Sequence, residues 1–79
     1  MSERIPLTEV AQGATVKVAE VPDGIGVQLR LKALGIRPGI SITKVTGSFA
    51  YGPIVVRQGE TQTALGRGIC KKILVEKPQ

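Results

Sequence analysis

Histidine is missing altogether from these 79 residues, and with it go the commonest general base and the commonest transition-metal ligand. Cysteine occurs once, as Cys70, so no disulfide closes within the chain and nothing marks an oxidising compartment. A single cysteine in an apolar run reads as a small core residue rather than a reactive thiol. The aromatic side chains are Phe49 and Tyr51 alone, too few for a platform on which successive bases of a single strand would stack. No apolar run approaches the roughly 18 residues that cross a bilayer. The opening residues 1–6 lack the apolar block of a secretory signal, so the expectation is a cytoplasmic protein with no membrane span. The carboxylates are scattered and give no metal-ligand spacing, and no base can be named beside a serine or cysteine nucleophile. Neither the phosphate-loop pattern nor the dinucleotide fingerprint occurs. An enzyme is the class these absences disfavour most, and no cofactor or metal site is expected.

What is present is a chain of one small domain, residues 1–79, with 42% apolar residues, ten glycines and five prolines. That mixture excludes wholesale disorder and suits short strands joined by many turns. The net charge is +5, and its placement is uneven. Arg30, Lys32, Arg37, Lys44 and Arg57 lie between Gly24 and Gly59 with no acidic residue among them, whereas Glu3, Glu9, Glu20, Asp23, Glu60 and Glu76 lie outside. A positive face follows, suited to an acidic partner surface, anionic lipid headgroups or nucleic acid, unless it is simply a solvated face.

Residues 7–13 form a short helical or irregular lead-in that breaks at Gly13. In residues 14–19, Ala14, Val16 and Val18 share one face and Thr15 and Lys17 the other, the period of a half-buried strand, which Pro22-Asp23-Gly24 ends. Val27, Leu31 and Leu34 then fall on one arc at helical spacing, predicting a helix over 27–34. Further strands are predicted at 40–45, 53–57, 61–65 and 71–76, with a tight turn at Gln58-Gly59-Glu60 and a break of about one helical turn at Gly66-Arg67-Gly68. The apolar set changes parity from Val18 to Val21 and from Ile42 to Val45, as where a strand bends around a barrel corner. Residues 77–79 read as a frayed tail.

The stretch Leu34-Gly35-Ile36-Arg37-Pro38-Gly39 invites a phosphate-loop reading, but local geometry explains it. Gly35 sits where a helix ends in a left-handed residue, and Ile36 can fold back as the apolar partner of that cap. Pro38-Gly39 then supplies the central pair of a type II turn. Ahead of the helix, Gly24-Ile25-Gly26 reads as a plain loop.

The run Arg30-Leu31-x-x-Leu34-Gly35-Ile36-x-Pro38-Gly39, followed by Tyr51-Gly52-Pro53-Ile54 and a closing Ile69-Cys70-Lys71-Lys72-Ile73-Leu74, resembles the FeoA (ferrous iron transport protein A) family along nearly the whole chain. The resemblance implies a mainly β fold, a small SH3-like barrel of about five strands with one short helix. In it Leu31, Leu34, Gly35, Ile36, Pro38 and Gly39 take structural positions. It also implies an accessory role in the cytoplasm beside FeoB, a ferrous iron transporter with a cytoplasmic G-protein domain, and recruitment to the inner membrane by that partner. A related domain accompanies the DNA-binding domain of iron-dependent repressors of the diphtheria-toxin-repressor type. A small barrel that binds RNA or another nucleic acid is the rival function. On a helical wheel Leu29 and Ala33 point away from the inward arc and are ringed by Arg30, Lys32 and Arg37. This face is the candidate surface for the transporter's G-protein domain or membrane part, with the Phe49 and Tyr51 loop as a second candidate. The competing explanation for Leu29 is an ordinary surface leucine or a contact with the lead-in segment.

Overall fold

Val16 and Val18 turn inward while Thr15 and Lys17 face solvent, and this alternation runs through a strand Thr15–Glu20 that lies near the middle of a six-stranded antiparallel sheet. The computed structural model describes residues 3–46 and 52–77. In chain order its elements are β1 (Arg4–Pro6), a 3-10 turn (Leu7–Glu9), β2 (Thr15–Glu20), α1 (Ile25–Ala33), β3 (Ser41–Thr46), β4 (Ile54–Gln58), β5 (Thr61–Leu65), α2 (Arg67–Cys70) and β6 (Leu74–Glu76). The sheet order is β1-β6-β2-β3-β4-β5, and its inner face shares one core of Leu7, Val10, Val16, Val18, Leu31, Ile36, Ile42, Ile54, Val56, Leu65, Cys70, Ile73 and Val75. Both parity changes seen in the sequence coincide with register shifts, between Val18 and Glu20 in β2 against β6 and between Lys44 and Thr46 in β3 against β4. Those irregularities let a strongly curved sheet wrap a small core.

Four boundaries differ from the sequence reading. The strand β1 is absent from it, because three residues ending in proline carry no periodic signal. They pair with β6 at the far end of the chain, Ile5 opposite Val75. The helix starts at Ile25, two residues earlier than the inward arc indicated. Lys71 and Lys72 belong to the turn after α2, so β6 is only Leu74–Glu76. Lys77 donates its backbone N–H to the Glu3 carbonyl at 2.7 Å and its ammonium to the Glu3 carboxylate at 3.4 Å, so it is tied to the N-terminal strand rather than frayed.

The end of α1 takes the form its sequence dictates. Ile36 N–H donates to the Leu31 carbonyl at 2.9 Å and Gly35 N–H to the Lys32 carbonyl at 3.0 Å, the paired bonds of a Schellman cap, with Gly35 at φ +78. Ile36 is fully buried, and Leu34 is half-buried against the same core. Pro38 and Gly39 follow as a turn closed by Ile40 N–H to the Arg37 carbonyl, with Gly39 at φ +95 as a type II turn requires. Gly39 N–H donates to the Val18 carbonyl at 2.8 Å and Val18 N–H to the Ile40 carbonyl at 2.9 Å, so this turn is fastened directly to β2.

Lys44 is the main departure in the core. Counted with the positive face in sequence, it is only 1% exposed, because residues 42 and 44 share the inward side of β3. Its ammonium donates to the carbonyls of Val10 at 2.7 Å and Thr8 at 3.1 Å. Burial lowers its pKa from the ordinary 10.5, the Arg67 guanidinium lowers it further, and Cys70 acts in the opposite direction. Burial likewise pushes the Cys70 thiol up from 9.0 to about 11, against the pull of Arg67 and Lys44. The thiol lies 4.0 Å from the Leu65 carbonyl, and Cys70 is a core residue as its composition suggested.

Two outcomes follow from these contacts. Gly35→Val forces a branched residue into the left-handed region and brings a Cβ to 3.0 Å from Gln58 Oε1, so it should cost about 1–3 kcal/mol. Ile36→Ala should cost about 2–5 kcal/mol through the cavity it leaves, both read as lowered thermal midpoints. The second outcome concerns alkaline pH. The unfolded thiol releases its proton near 9.0 while the folded one keeps it to about 11, so Cys70 contributes stability that is present below 9 and lost across that window. Lys44 has the opposite slope, since its folded ammonium deprotonates first and stability rises with pH up to 10.5. Denaturant unfolding at pH 8 and pH 11 should therefore show Cys70→Ala losing up to about 3 kcal/mol less than the wild type. Equal losses would remove the thiol from the account.

Candidate helix-face docking site

The helix α1 is apolar on two opposite sides. Leu31 is buried, and Val27 and Leu34 are half-buried against the sheet, which fixes one side inward. On the other side Ile25, Leu29 and Ala33 follow one another at i, i+4 and i+8, a single stripe along the outer surface. Ile25 is 81% exposed and Leu29 62%, the two large apolar side chains that the described residues leave in solvent. Leu29 was expected there from its wheel position, together with the exposed Ala33. The inward arc alone starts the helix at Val27 and so leaves Ile25 outside it. The signal was nonetheless present, since Ile25, Leu29 and Ala33 repeat every fourth residue.

Arg30, Lys32 and Arg37 are all exposed, and helical spacing sets Lys32 beside this stripe and Arg30 between it and the inward side. Arg37 lies beyond the end of α1, where it follows the Schellman cap and opens the type II turn. The ion pairs among the described residues are Arg4–Glu20 at 3.3 Å and Lys77–Glu3 at 3.4 Å, so neither involves a cation of the helix face. No acidic residue lies in the first turn of α1, and no side chain caps its N-terminus, where Gly24 adopts φ +120. The helix start is held instead by Gln28 N–H to the Gly24 carbonyl at 2.9 Å and by Gln28 Nε2 to the Pro22 carbonyl at 3.4 Å. Of the five central basic residues, Lys44 is thus removed from the surface. Arg57 lies on β4, opposite Thr43 and Gln62, and not on the helix.

Of the cap-and-turn run, Leu31 and Ile36 are buried, Leu34 is half-buried, Gly35 and Gly39 carry positive φ, and Pro38 lies in the turn. Phe49 and Tyr51 lie outside the described residues. Among the described residues no three of Asp, Glu or Cys gather into a group able to hold a metal ion, and no helix is long and apolar enough to cross a membrane. Ile25 and Leu29 are thus two exposed aliphatic side chains on a helix that also carries the exposed cations Arg30 and Lys32.

Residues 5–77 match the family model of the FeoA domain. A chain of Methanocaldococcus jannaschii provisionally named as Fe(2+) transport protein A is 31% identical over 71 residues, covering 90% of this chain and 84% of that one. Among solved structures, a FeoA-like protein from Clostridium acetobutylicum superposes with a TM-score of 0.82 at 28% identity over 100% of this chain and 92% of its own. FeoA of Stenotrophomonas maltophilia, solved with zinc and described as an SH3 domain protein, gives a TM-score of 0.77 at 26% identity over 91% and 89% of the two chains. The cap-and-turn run Leu31 to Gly39, the mainly β SH3-like barrel built around it and the extent of the match lead to one conclusion: the chain belongs to the FeoA family, an accessory family of ferrous iron transport.

Proposed function

We propose that this protein is a cytoplasmic accessory of ferrous iron uptake that acts by docking on a FeoB-type transporter, with the outer face of α1 as the contact. The observation that carries the reading is the stripe of Ile25 and Leu29, two aliphatic side chains held in water on a helix whose Arg30 and Lys32 enter no ion pair among the described residues. Burying either aliphatic side chain fully would contribute about 1.5–3 kcal/mol, enough for a weak site to become a specific one. The cations would raise the rate of encounter with an acidic surface and set the orientation of docking. Binding, rather than catalysis, is the activity, and membrane recruitment would come through the transporter. The rival nucleic-acid reading is weakened by Lys44, which is withdrawn from the basic patch into the core.

Co-purification of the transporter from membranes tests the surface. Leu29→Asp and Ile25→Asp should each reduce recovery by tenfold or more while leaving the thermal midpoint nearly unchanged, because neither side chain is in the core. Arg30→Glu should weaken recovery most at low salt. Equal recovery of the transporter by wild type and both aspartate variants would move the contact elsewhere. The same reading gives the protein no iron site of its own. Anaerobic calorimetric titration with ferrous iron should therefore show no saturable heat, and one stoichiometric site abolished by replacing a carboxylate would contradict it.

A further inference from the structure

Asparagine is missing from the sequence, and aspartate occurs once, as Asp23, directly before Gly24. Asparagine and aspartate are the residues whose side chains close a succinimide ring with the next backbone nitrogen. A glycine in the next position favours the closure, because it has no side chain to hinder the approach. The glutamates would have to close a larger ring, which forms far more slowly. The chain therefore confines this backbone chemistry to a single peptide bond.

The fold leaves both reacting groups unengaged. Asp23 is exposed, and its carboxylate enters no ion pair or hydrogen bond among the described residues. Gly24 uses its carbonyl, which accepts from Gln28 N–H at 2.9 Å, but its own N–H donates to no acceptor among those residues. Nothing lies within 4 Å of the place a Gly24 Cβ would occupy, so the surroundings of the bond are open. Both residues precede α1 and follow β2 without belonging to either, so no ladder of hydrogen bonds holds the peptide unit between them.

We infer that Asp23-Gly24 is a site of isoaspartate formation, and that the conversion loosens the start of α1. The Gly24 nitrogen attacks Cγ of the protonated Asp23 carboxyl and forms a C–N bond. The hydroxyl of that carboxyl leaves as water, taking the amide hydrogen with it. Water then reopens the succinimide at one of its two carbonyls. Breaking the bond from nitrogen to Cγ restores aspartate. Breaking the bond from nitrogen to the main-chain carbonyl carbon of Asp23 leaves the chain running through Cβ and Cγ, with the former main-chain carbonyl freed as a carboxylate. The water lost is regained, so no oxidant, reductant or cofactor enters, and neither mass nor net charge changes. The product has one more backbone atom between the Pro22 and Gly24 carbonyls. Those two carbonyls accept from Gln28, through Nε2 at 3.4 Å and N–H at 2.9 Å, and they hold a helix start that no side chain caps. A longer link displaces one carbonyl from the other, so the two bonds no longer close together. Ile25 follows Gly24 directly, so conversion also moves one end of the stripe assigned above to docking. That consequence rests on the docking reading, whereas the modification site does not.

Ageing of the whole folded chain in warm neutral buffer over weeks tests the inference. Methyl transfer from S-adenosylmethionine by an isoaspartate-specific carboxyl methyltransferase should rise from background toward, at most, one methyl group per chain. Electron-transfer fragmentation should place the isoaspartate in the tryptic peptide 18–30. The Asp23→Glu variant keeps the exposed charge and should stay at background. In the converted fraction, separated by chromatography, exchange of the Gln28 amide should quicken by about tenfold or more. Folded wild type that stays at background overturns the site, and the synthetic peptide 18–30 aged beside it tells whether the fold or the sequence prevents the reaction. A signal that Asp23→Glu retains also overturns the site. Converted protein whose Gln28 amide exchanges as before overturns the loosening of α1.

Discussion

A buried cation ties the middle of the lead-in segment to the barrel. Lys44 donates through its ammonium to the carbonyls of Thr8 and Val10, donates its backbone N–H to Ala14 at 3.0 Å and accepts from Gly13 N–H at 2.6 Å. Residues 8–14 run beneath the sheet without a ladder of their own, and a carbonyl buried there without a donor would cost about 1–3 kcal/mol. An aliphatic residue at position 44 would pack equally well along its stem but leave the Val10 carbonyl stranded. The ammonium reaches it, and charge-assisted bonds of this kind, about 1.5–3 kcal/mol each, counter part of the desolvation cost that still holds the Lys44 pKa below its ordinary value. With the segment held down, Leu7 and Val10 complete the core alongside Ile73 and Val75, and Leu7 N–H reaches the Ile73 carbonyl at 2.9 Å.

Local chemistry was legible in the sequence, and long-range pairing was not. Gly35, Ile36, Pro38 and Gly39 encode a cap and a turn through residues that touch each other, so their reading matches the observed hydrogen bonds. The parity changes at Val18 and Ile42 likewise mark the register shifts, since a bend is written in the alternation of the strand that bends. In contrast, β1 exists only through β6, about seventy residues away. The burial of Lys44 depends on two carbonyls more than thirty residues upstream. Residue type alone argued for exposure at Lys44, because lysine is almost never fully buried. The alternation Ile42, Lys44 argued for the inside, and tertiary hydrogen bonding decided between them.

The helix face shows the same division. Its inward arc was readable because Val27, Leu31 and Leu34 repeat as a core-facing helix must. The outward stripe was read only in part, because starting the helix at Val27 left Ile25 in a loop. Once α1 begins at Ile25, the helix has an apolar side more than its packing uses. A helix packed on one side gains nothing in fold stability from isoleucine and leucine on the other, and exposing two such residues is a solubility liability. Folding alone gives these two residues no role, and an interaction surface would give them one.

The cations beside that stripe cannot be assigned so cleanly, because they have structural uses. Arg30 and Lys32 lie in the last turn of α1, where the negative end of the helix dipole favours positive charge by about 0.3–1 kcal/mol each. Arg37 supplies the carbonyl that closes the Pro38-Gly39 turn, although its side chain is exposed. Loss of function on reversing Arg30 or Lys32 therefore mixes a small loss of helix stability with any loss of steering. Ile25 and Leu29 carry no such burden: they neither cap the helix nor enter the core. Among the residues of α1, those two aliphatic side chains separate docking from folding, and the basic residues are informative only where their effect depends on salt, as an encounter term does and a capping contribution this small scarcely would.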